Sequence, residues 1–203
     1  MNGLKERMIK KYKVIYADPA WGYSHPVYQE TFPKRKQTRK ARSINDEYET
    51  MSEKQLLNLP INNLADKDSA LFLWVTDSHL KQGIALMEAW GFKYRTIVFI
   101  WKKITNKGNT CANVGAWTMK NCEICLFGAR GNMRQYKEAN NVFQLIEAER
   151  TKHSKKPNEA RKRIETLFGG VDKIELFARS NFEEWDAWGN EVEDSIDLSE
   201  YYT

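Results

Sequence analysis

The order of apolar and polar blocks along the chain predicts an α/β domain. Short apolar runs, typical of strands covered on both faces, occur at 14–17, 70–75, 94–101, 121–129 and 173–178. Helices are expected from Ser52 to near Pro60, over 78–90 with Gly91 at its end, and over 158–168 after Pro157. The strand, helix and strand between 70 and 101 form a βαβ unit, which predicts a parallel sheet with right-handed connections.

Two long stretches lack hydrophobic periodicity, at 22–46 and 102–120, and the pattern over 134–149 is ambiguous, with a short strand possible around 142–146. The first stretch concentrates basic residues, namely Lys34, Arg35, Lys36, Arg39, Lys40 and Arg42. One interpretation is a flap that binds backbone phosphates, and the alternative is a solvated run of charges. Trp117, in the second stretch, is a candidate substrate contact, whereas Trp74, Trp90 and Trp101 are expected in the core.

The first strand leads directly into Asp18-Pro-Ala-Trp21. Active sites of open α/β sheets lie at such strand ends. Pro19 restricts the backbone, so the Asp18 carboxylate and the Pro19 carbonyl are held beside the ring of Trp21. Two acceptors next to a flat apolar surface suit a planar base with an amino group. An ordinary Asp-Pro turn with a core tryptophan is the alternative.

Composition narrows the class of protein. A chain of 203 residues with 41% hydrophobic residues is expected to form one globular domain, and its net charge of +5 permits a nucleic-acid partner without establishing one. Three cysteines are too few for a disulfide scaffold; Cys122 and Cys125 lie three apart in a strand, so they face opposite sides and predict no metal site. With no signal peptide and no apolar run of membrane-spanning length, a cytoplasmic protein is expected.

Eight segments together resemble the MT-A family of N6-adenine methyltransferases, over roughly residues 12–192. They are Asp18-Pro-Ala-Trp21, Tyr48-Glu-Thr-Met-Ser52, Leu71-Phe-Leu-Trp-Val-Thr76, Glu88-Ala-Trp-Gly-Phe92, Asn121-Cys-Glu-Ile-Cys-Leu-Phe127, His153-Ser-Lys-Lys-Pro157, Ile174-Glu-Leu-Phe-Ala-Arg179 and Trp185-Asp-Ala-Trp-Gly-Asn190. The resemblance implies a Rossmann-like, S-adenosylmethionine-dependent fold in permuted order, with the catalytic strand first and the cofactor strand, 173–178, last.

The resemblance also implies roles for individual residues. Asp18 and the Pro19 carbonyl would accept the two amine hydrogens, and Trp21 would stack on a base flipped out of its helix. Ala20 replaces the family's usual second proline, which is expected to loosen the turn without abolishing the chemistry. The residues matched to cofactor contacts are Lys156, near the methionine end, and Arg179, Asn181, Asn190 and Glu191.

The sequence therefore predicts an S-adenosylmethionine-dependent N6-adenine methyltransferase with DNA as the expected substrate. RNA adenosine methylation and a catalytically silent subunit that binds nucleic acid or a partner are the alternatives. We expect one methyltransferase domain, 1–192, with substrate loops at 22–47 and 102–120, followed by a mobile acidic tail at 193–203. Whether the protein is a monomer, a homodimer or a heterodimer is left open.

Overall fold

The structure is a computed structural model, which describes residues 9–21, 51–115, 117–151 and 155–202. The strands are β1 (Tyr12–Ala17), β2 (Ala65–Val75), β3 (Lys93–Ile104), β4 (Asn113–Val114), β5 (Met119–Lys120), β6 (Cys122–Arg130), β7 (Leu145–Glu149), β8 (Lys173–Leu176) and β9 (Asp186–Trp188). The α-helices are α1 (Glu53–Leu57), α2 (Ile61–Leu64), α3 (Leu80–Ala89) and α4 (Asn158–Phe168). Single 3-10 turns lie at Asp77–His79, Met133–Tyr136 and Leu198–Tyr201.

The main sheet has seven strands in the order β7-β3-β6-β2-β1-β8-β9, and β4 with β5 forms a separate hairpin. Six strands of the sheet are parallel to one another, and β6 is antiparallel to both its neighbours, β2 and β3. The sheet is therefore mostly parallel, as the βαβ unit predicts, and β6 is the exception. Residues 105–121 connect the end of β3 to the start of β6 at the same end of these two strands. A direct return of this kind gives an antiparallel pair.

Apolar side chains cover both faces of this sheet, as the uninterrupted apolar runs predict. One cluster joins Ile15 and Leu73 of the central strands to α1, α2 and α3, and includes Trp90. The opposite cluster joins Tyr16 and Phe72 to α4 and includes Trp74 and Trp101. All three tryptophans expected in the core are fully buried.

Local sequence features place the helices as expected. Ser52 caps α1 in a capping box with Gln55, and Gly91 follows α3 with a φ of 84°. Helix α4 spans the predicted residues 158–168 and begins after Pro157. The two strand cysteines also behave as predicted, since Cys122 is exposed and Cys125 is buried.

The C-terminal part contains two features that the sequence analysis did not foresee. The strand expected to be the last, β8, ends at Leu176 and is followed by β9, which pairs with it in parallel. The acidic tail is not mobile throughout, because Leu198 and Tyr201 are buried against the core. The Tyr201 hydroxyl donates to the carbonyl of Lys10 at 2.8 Å, which ties the tail to the start of the domain. Among the described helices, none has the length and apolar character needed to cross a membrane.

Candidate active site

Asp18 lies at the carboxyl end of β1, a central strand of the sheet. The parallel strands β2 and β8 flank β1, so the segments that follow all three strands emerge at the same edge. The antiparallel strand β6 begins at this edge, because Cys122 pairs with Lys102 near the end of β3. The topology therefore gathers residues from five parts of the chain around Asp18, which is the position where open α/β sheets bind ligands.

The Asp18 carboxylate belongs to a chain of four alternating charges. Lys156 Nζ lies 2.7 Å from Asp18 Oδ1 and 2.8 Å from Asp18 Oδ2, and 3.0 Å from Glu123 Oε2. Lys103 Nζ donates to the other oxygen of Glu123. Only a small part of each of these four side chains is exposed, so the charges are compensated by one another more than by water.

The pKa values of the two middle residues follow from this arrangement. Burial lowers the pKa of the Lys156 ammonium, but the Asp18 and Glu123 carboxylates outweigh burial, and the pKa lies above its ordinary value of 10.5. Burial raises the pKa of Glu123, but Lys156 and Lys103 outweigh burial, and the pKa lies below its ordinary value of 4.5. Both residues are therefore charged at neutral pH.

A pair of stacked aromatic rings is formed by Trp21, three residues after Asp18, and His79. The Trp21 indole N–H donates to the carbonyl of Trp74 at 3.2 Å, and its ring stacks on His79 with centroids 5.5 Å apart and an interplanar angle of 23°. His79 Nδ1 is in turn 2.7 Å from Thr76 Oγ1. Trp21 is only partly buried, and His79 occupies one face of its ring.

Buried polar contacts fix the first strand beneath this surface. The Trp74 indole N–H donates to the Tyr16 hydroxyl at 2.8 Å. Arg161 of α4 donates to both carboxylate oxygens of Glu175 in β8, and its guanidinium lies over the Tyr16 ring at 5.5 Å. Pro19 is buried. The backbone that carries Asp18 is therefore held from both neighbouring strands and from α4.

The residues matched to the cofactor lie at the ends of β8 and β9, beside β1. Arg179 Nε is 3.8 Å from Glu191 Oε1, and Asn181 and Asn190 are exposed. The two strand ends approach closely at Gly189, where a Cβ atom would lie 2.4 Å from the backbone nitrogen of Ala178. Lys156, which was matched to the methionine end of the cofactor, contacts Asp18 and Glu123 with its ammonium.

The remaining predicted residues are distributed as follows. Trp117 lies between β4 and β5 and is exposed. The six basic residues of the first substrate loop, Lys34, Arg35, Lys36, Arg39, Lys40 and Arg42, lie outside the described residues.

The sequence analysis missed Glu123 and Lys103. The clue to Glu123 was an acidic residue inside an apolar strand, since a carboxylate at such a position needs a buried cation. Lys103 carried no comparable clue, because one lysine after a strand is common.

The structure also contains a cavity of about 590 Å³ away from Asp18. Its lining includes Arg95, Phe99, Phe127 and Arg134. Lys93 pairs with Ala129 at this end of β3 and β6, and Lys102 pairs with Cys122 at the other end. The cavity thus lies toward the end of β3 and β6 that is opposite to the end near Asp18, and it is not part of the site around Asp18.

A seven-stranded, mostly parallel, Rossmann-like sheet with a lysine-paired carboxylate at the end of a central strand agrees with a transferase of the methyltransferase class. Residues 12–191 match the family model described as MT-A70. The chain belongs to the MT-A70 family and is a methyltransferase.

Individual relatives agree with this membership. The chain is 36% identical over 192 residues to the Type II methyltransferase M.MunI of a Mycoplasma species, covering 92% of this chain and 80% of that protein. It is 30% identical over 194 residues to the human N(6)-adenosine-methyltransferase catalytic subunit METTL3, covering 29% of that protein. A Drosophila melanogaster N(6)-adenosine-methyltransferase MT-A70-like protein is also 30% identical and is covered to 28%. The chain thus spans less than a third of these two longer relatives.

Proposed function

We propose that this chain is an S-adenosylmethionine-dependent N6-adenine methyltransferase that acts on DNA. The observation that carries the proposal is the Asp18 carboxylate at the end of a central strand, paired with Lys156 at 2.7 Å and followed in the chain by the buried Pro19 and by Trp21. A carboxylate and a carbonyl beside an aromatic face suit the exocyclic amine of a planar base. The similarity to M.MunI and to named N(6)-adenosine-methyltransferases supports this chemistry.

Lys156 leaves the carboxylate able to accept further hydrogen bonds. An ionised carboxylate has about four lone-pair sites, and Lys156 contacts each oxygen once. The remaining sites can accept a hydrogen of the substrate amine, and the second amine hydrogen can bond to the Pro19 carbonyl. Because Lys156 is itself fixed by Glu123, the carboxylate is held in place before substrate binds.

The polar residues at the ends of β8 and β9 fit S-adenosylmethionine. Arg179 and Glu191 offer an opposite pair of charges near β1, and Asn181 and Asn190 add exposed amides for hydroxyl and amine groups. A glycine-rich phosphate loop is absent from the sequence, which agrees with a cofactor that has no phosphate. When bound, the cofactor supplies an electrophilic methyl group. The protein's part is to align the amine nitrogen with that group and to exclude other nucleophiles.

Duplex or single-stranded DNA is the substrate that we propose, and RNA is the second candidate. The relative covered to 80% is named a Type II methyltransferase, whereas the N(6)-adenosine-methyltransferases are covered to less than a third. The basic residues between 34 and 42 are proposed to bind backbone phosphates.

The experiment is transfer of a labelled methyl group from S-adenosylmethionine to matched single-stranded DNA, double-stranded DNA and RNA. Product nucleosides are identified by mass spectrometry. We expect N6-methyladenine in DNA, lost in Asp18→Ala with cofactor affinity retained. Asp172→Ala is the matched control, because Asp172 is an exposed aspartate that precedes β8 at the opposite edge. Methylation of RNA alone would favour the second candidate. A product that persists in Asp18→Ala would refute the assigned role.

A further inference from the structure

The hairpin formed by β4 and β5 carries large apolar side chains into solvent. Trp117, between the two strands, is 96% exposed, and Val114 is 86% exposed. Val114 pairs directly with Met119, which is also exposed, so these two side chains lie on the same face of the hairpin. An exposed tryptophan next to exposed aliphatic residues is costly in water and indicates a surface that meets another molecule.

The hairpin stands at the catalytic edge of the sheet. It connects the end of β3 to the start of β6, the strand that delivers Glu123 to the charge chain of Asp18. Lys120 Nζ of β5 lies 2.9 Å from Asp77 Oδ1, and Asp77 shares a 3-10 turn with His79, whose ring stacks on Trp21. The hairpin is thus joined by an ion pair to the turn that supports the base-stacking ring.

The base of the hairpin is fixed rather than loosely attached. The amide of Cys111 donates to the carbonyl of Lys103 at 2.8 Å, and Thr110 bridges to Ile104. On the other side, Arg150 Nη1 lies 3.5 Å from Asn113 Oδ1. Because the base is fixed, the exposed side chains at the tip are held in position before another molecule binds.

The position of the hairpin identifies the kind of molecule. Lys102, Lys103 and Lys120 are paired with Glu147, Glu123 and Asp77, so their charges are largely compensated within the protein. The exposed indole ring and aliphatic side chains lie beside the site that is proposed to bind a nucleic acid, and the exposed Lys107 belongs to the same connection. An apolar tip at this place fits the bases of that substrate, because aromatic rings stack with bases.

We propose that this hairpin is a wedge that opens duplex DNA, with Trp117 entering the space that the target adenine leaves. A base must leave its stack before an enzyme can reach its amine, and apolar side chains that enter base steps stabilise such openings. The indole ring is flat and large enough to stack between the neighbouring bases, and Val114 and Met119 contact the groove beside it. The proposal rests on the proposed function and adds that the substrate is a duplex.

The test compares Trp117→Ala, Trp117→Phe and Phe143→Ala on three DNA substrates. These are a single strand, a matched duplex, and a duplex with an abasic site opposite the target adenine. Phe143 is the matched control, since it is 80% exposed and lies outside the hairpin. We expect Trp117→Ala to lower kcat/KM on the matched duplex by roughly 10- to 100-fold, because the cost of unstacking is no longer offset. The single strand should be methylated as by the unmodified enzyme, and the abasic duplex should recover most of the loss.

A second readout does not depend on methyl transfer. The fluorescence of 2-aminopurine at the target position should increase when the unmodified protein binds the duplex. The increase should be smaller with Trp117→Phe and small or absent with Trp117→Ala. Equal losses on single strand and duplex would overturn the wedge. So would a Trp117→Ala variant that changes only the sedimentation coefficient, because Trp117 would then contact a second protein chain. If the unmodified protein methylates no DNA, the proposed function fails, while brightening that requires Trp117 would still support the wedge.

Discussion

Glu123→Gln tests whether the buried charge chain stabilises the domain as its geometry implies. The substitution keeps the shape of the side chain but removes the negative charge between Lys103 and Lys156. Two ammonium groups then face one neutral amide, and Asp18 is the charged partner that Lys156 retains among the described residues. The resulting decrease in the free energy of unfolding shows how strongly the site excludes water.

The magnitude follows from burial. Removing one partner of a buried ion pair costs about 3–5 kcal/mol, and we expect about 3 kcal/mol here because Lys103 and Glu123 keep 12% and 11% of their side chains exposed. Glu147→Gln is the matched control. Lys102, the residue of β3 that precedes Lys103, lies 2.7 Å from Glu147 of β7, but these two side chains are 38% and 50% exposed. The same chemical change should therefore cost less than about 1 kcal/mol there.

Urea unfolding of both variants against pH is the assay. The pKa of Glu123 lies below its ordinary value of 4.5 in the folded protein, so its contribution is complete above that value. As the pH falls through the folded pKa, Glu123 takes up a proton, and the difference between the unmodified protein and Glu123→Gln should shrink. Equal losses for Glu123→Gln and Glu147→Gln, or a difference that does not change with pH in the acid range, would refute the reasoning.

Three further variants test other parts of the protein. Arg179→Ala should weaken S-adenosylmethionine binding roughly 10- to 100-fold in calorimetry through loss of a charged hydrogen bond, and an unaltered isotherm would remove Arg179 from the cofactor site. Gly189→Ala should lower the melting temperature, because its Cβ would lie within 2.5 Å of Ala178 backbone atoms; an unchanged melting curve would contradict the close approach. Replacing Lys34, Arg35 and Lys36 by glutamine should reduce the slope of log K for DNA binding against log salt concentration by up to about three. An unchanged slope would indicate that these residues are a solvated run of charges.

Features encoded by local sequence were predictable. Helix α4 has Pro157 before its first residue and Gly169 after its last, so both of its ends are marked in the sequence. The uninterrupted apolar run 70–75 identified β2 and its burial on both faces. The run 121–129, which includes the acidic Glu123, identified β6. Asp18 was a candidate because a proline and a tryptophan follow a buried strand, and its role stays a prediction.

Features that depend on distant contacts were not predictable. β9 has three residues, too few for a hydrophobic period, and forms because β8 offers a free edge. The direction of β6 depends on how residues 105–121 return, which the apolar pattern does not encode. Tyr201 packs because its hydroxyl reaches Lys10, 191 residues away in sequence. The match of Lys156 to a cofactor contact gave no indication that Lys156 would pair with Asp18, from which it is separated by 138 residues.

The topology explains why Lys156 reaches Asp18. Strand β7 lies at one edge of the sheet, whereas the next strand along the chain, β8, pairs with β1 near the other edge. The connection must therefore pass β3, β6, β2 and β1, and α4 covers the same face as Tyr16 and Trp74 on the way. Lys156 precedes α4, where the crossing passes the carboxyl end of β1 and the start of β6. The crossover that joins the two sides of the sheet thus also brings the cation that compensates Asp18 and Glu123.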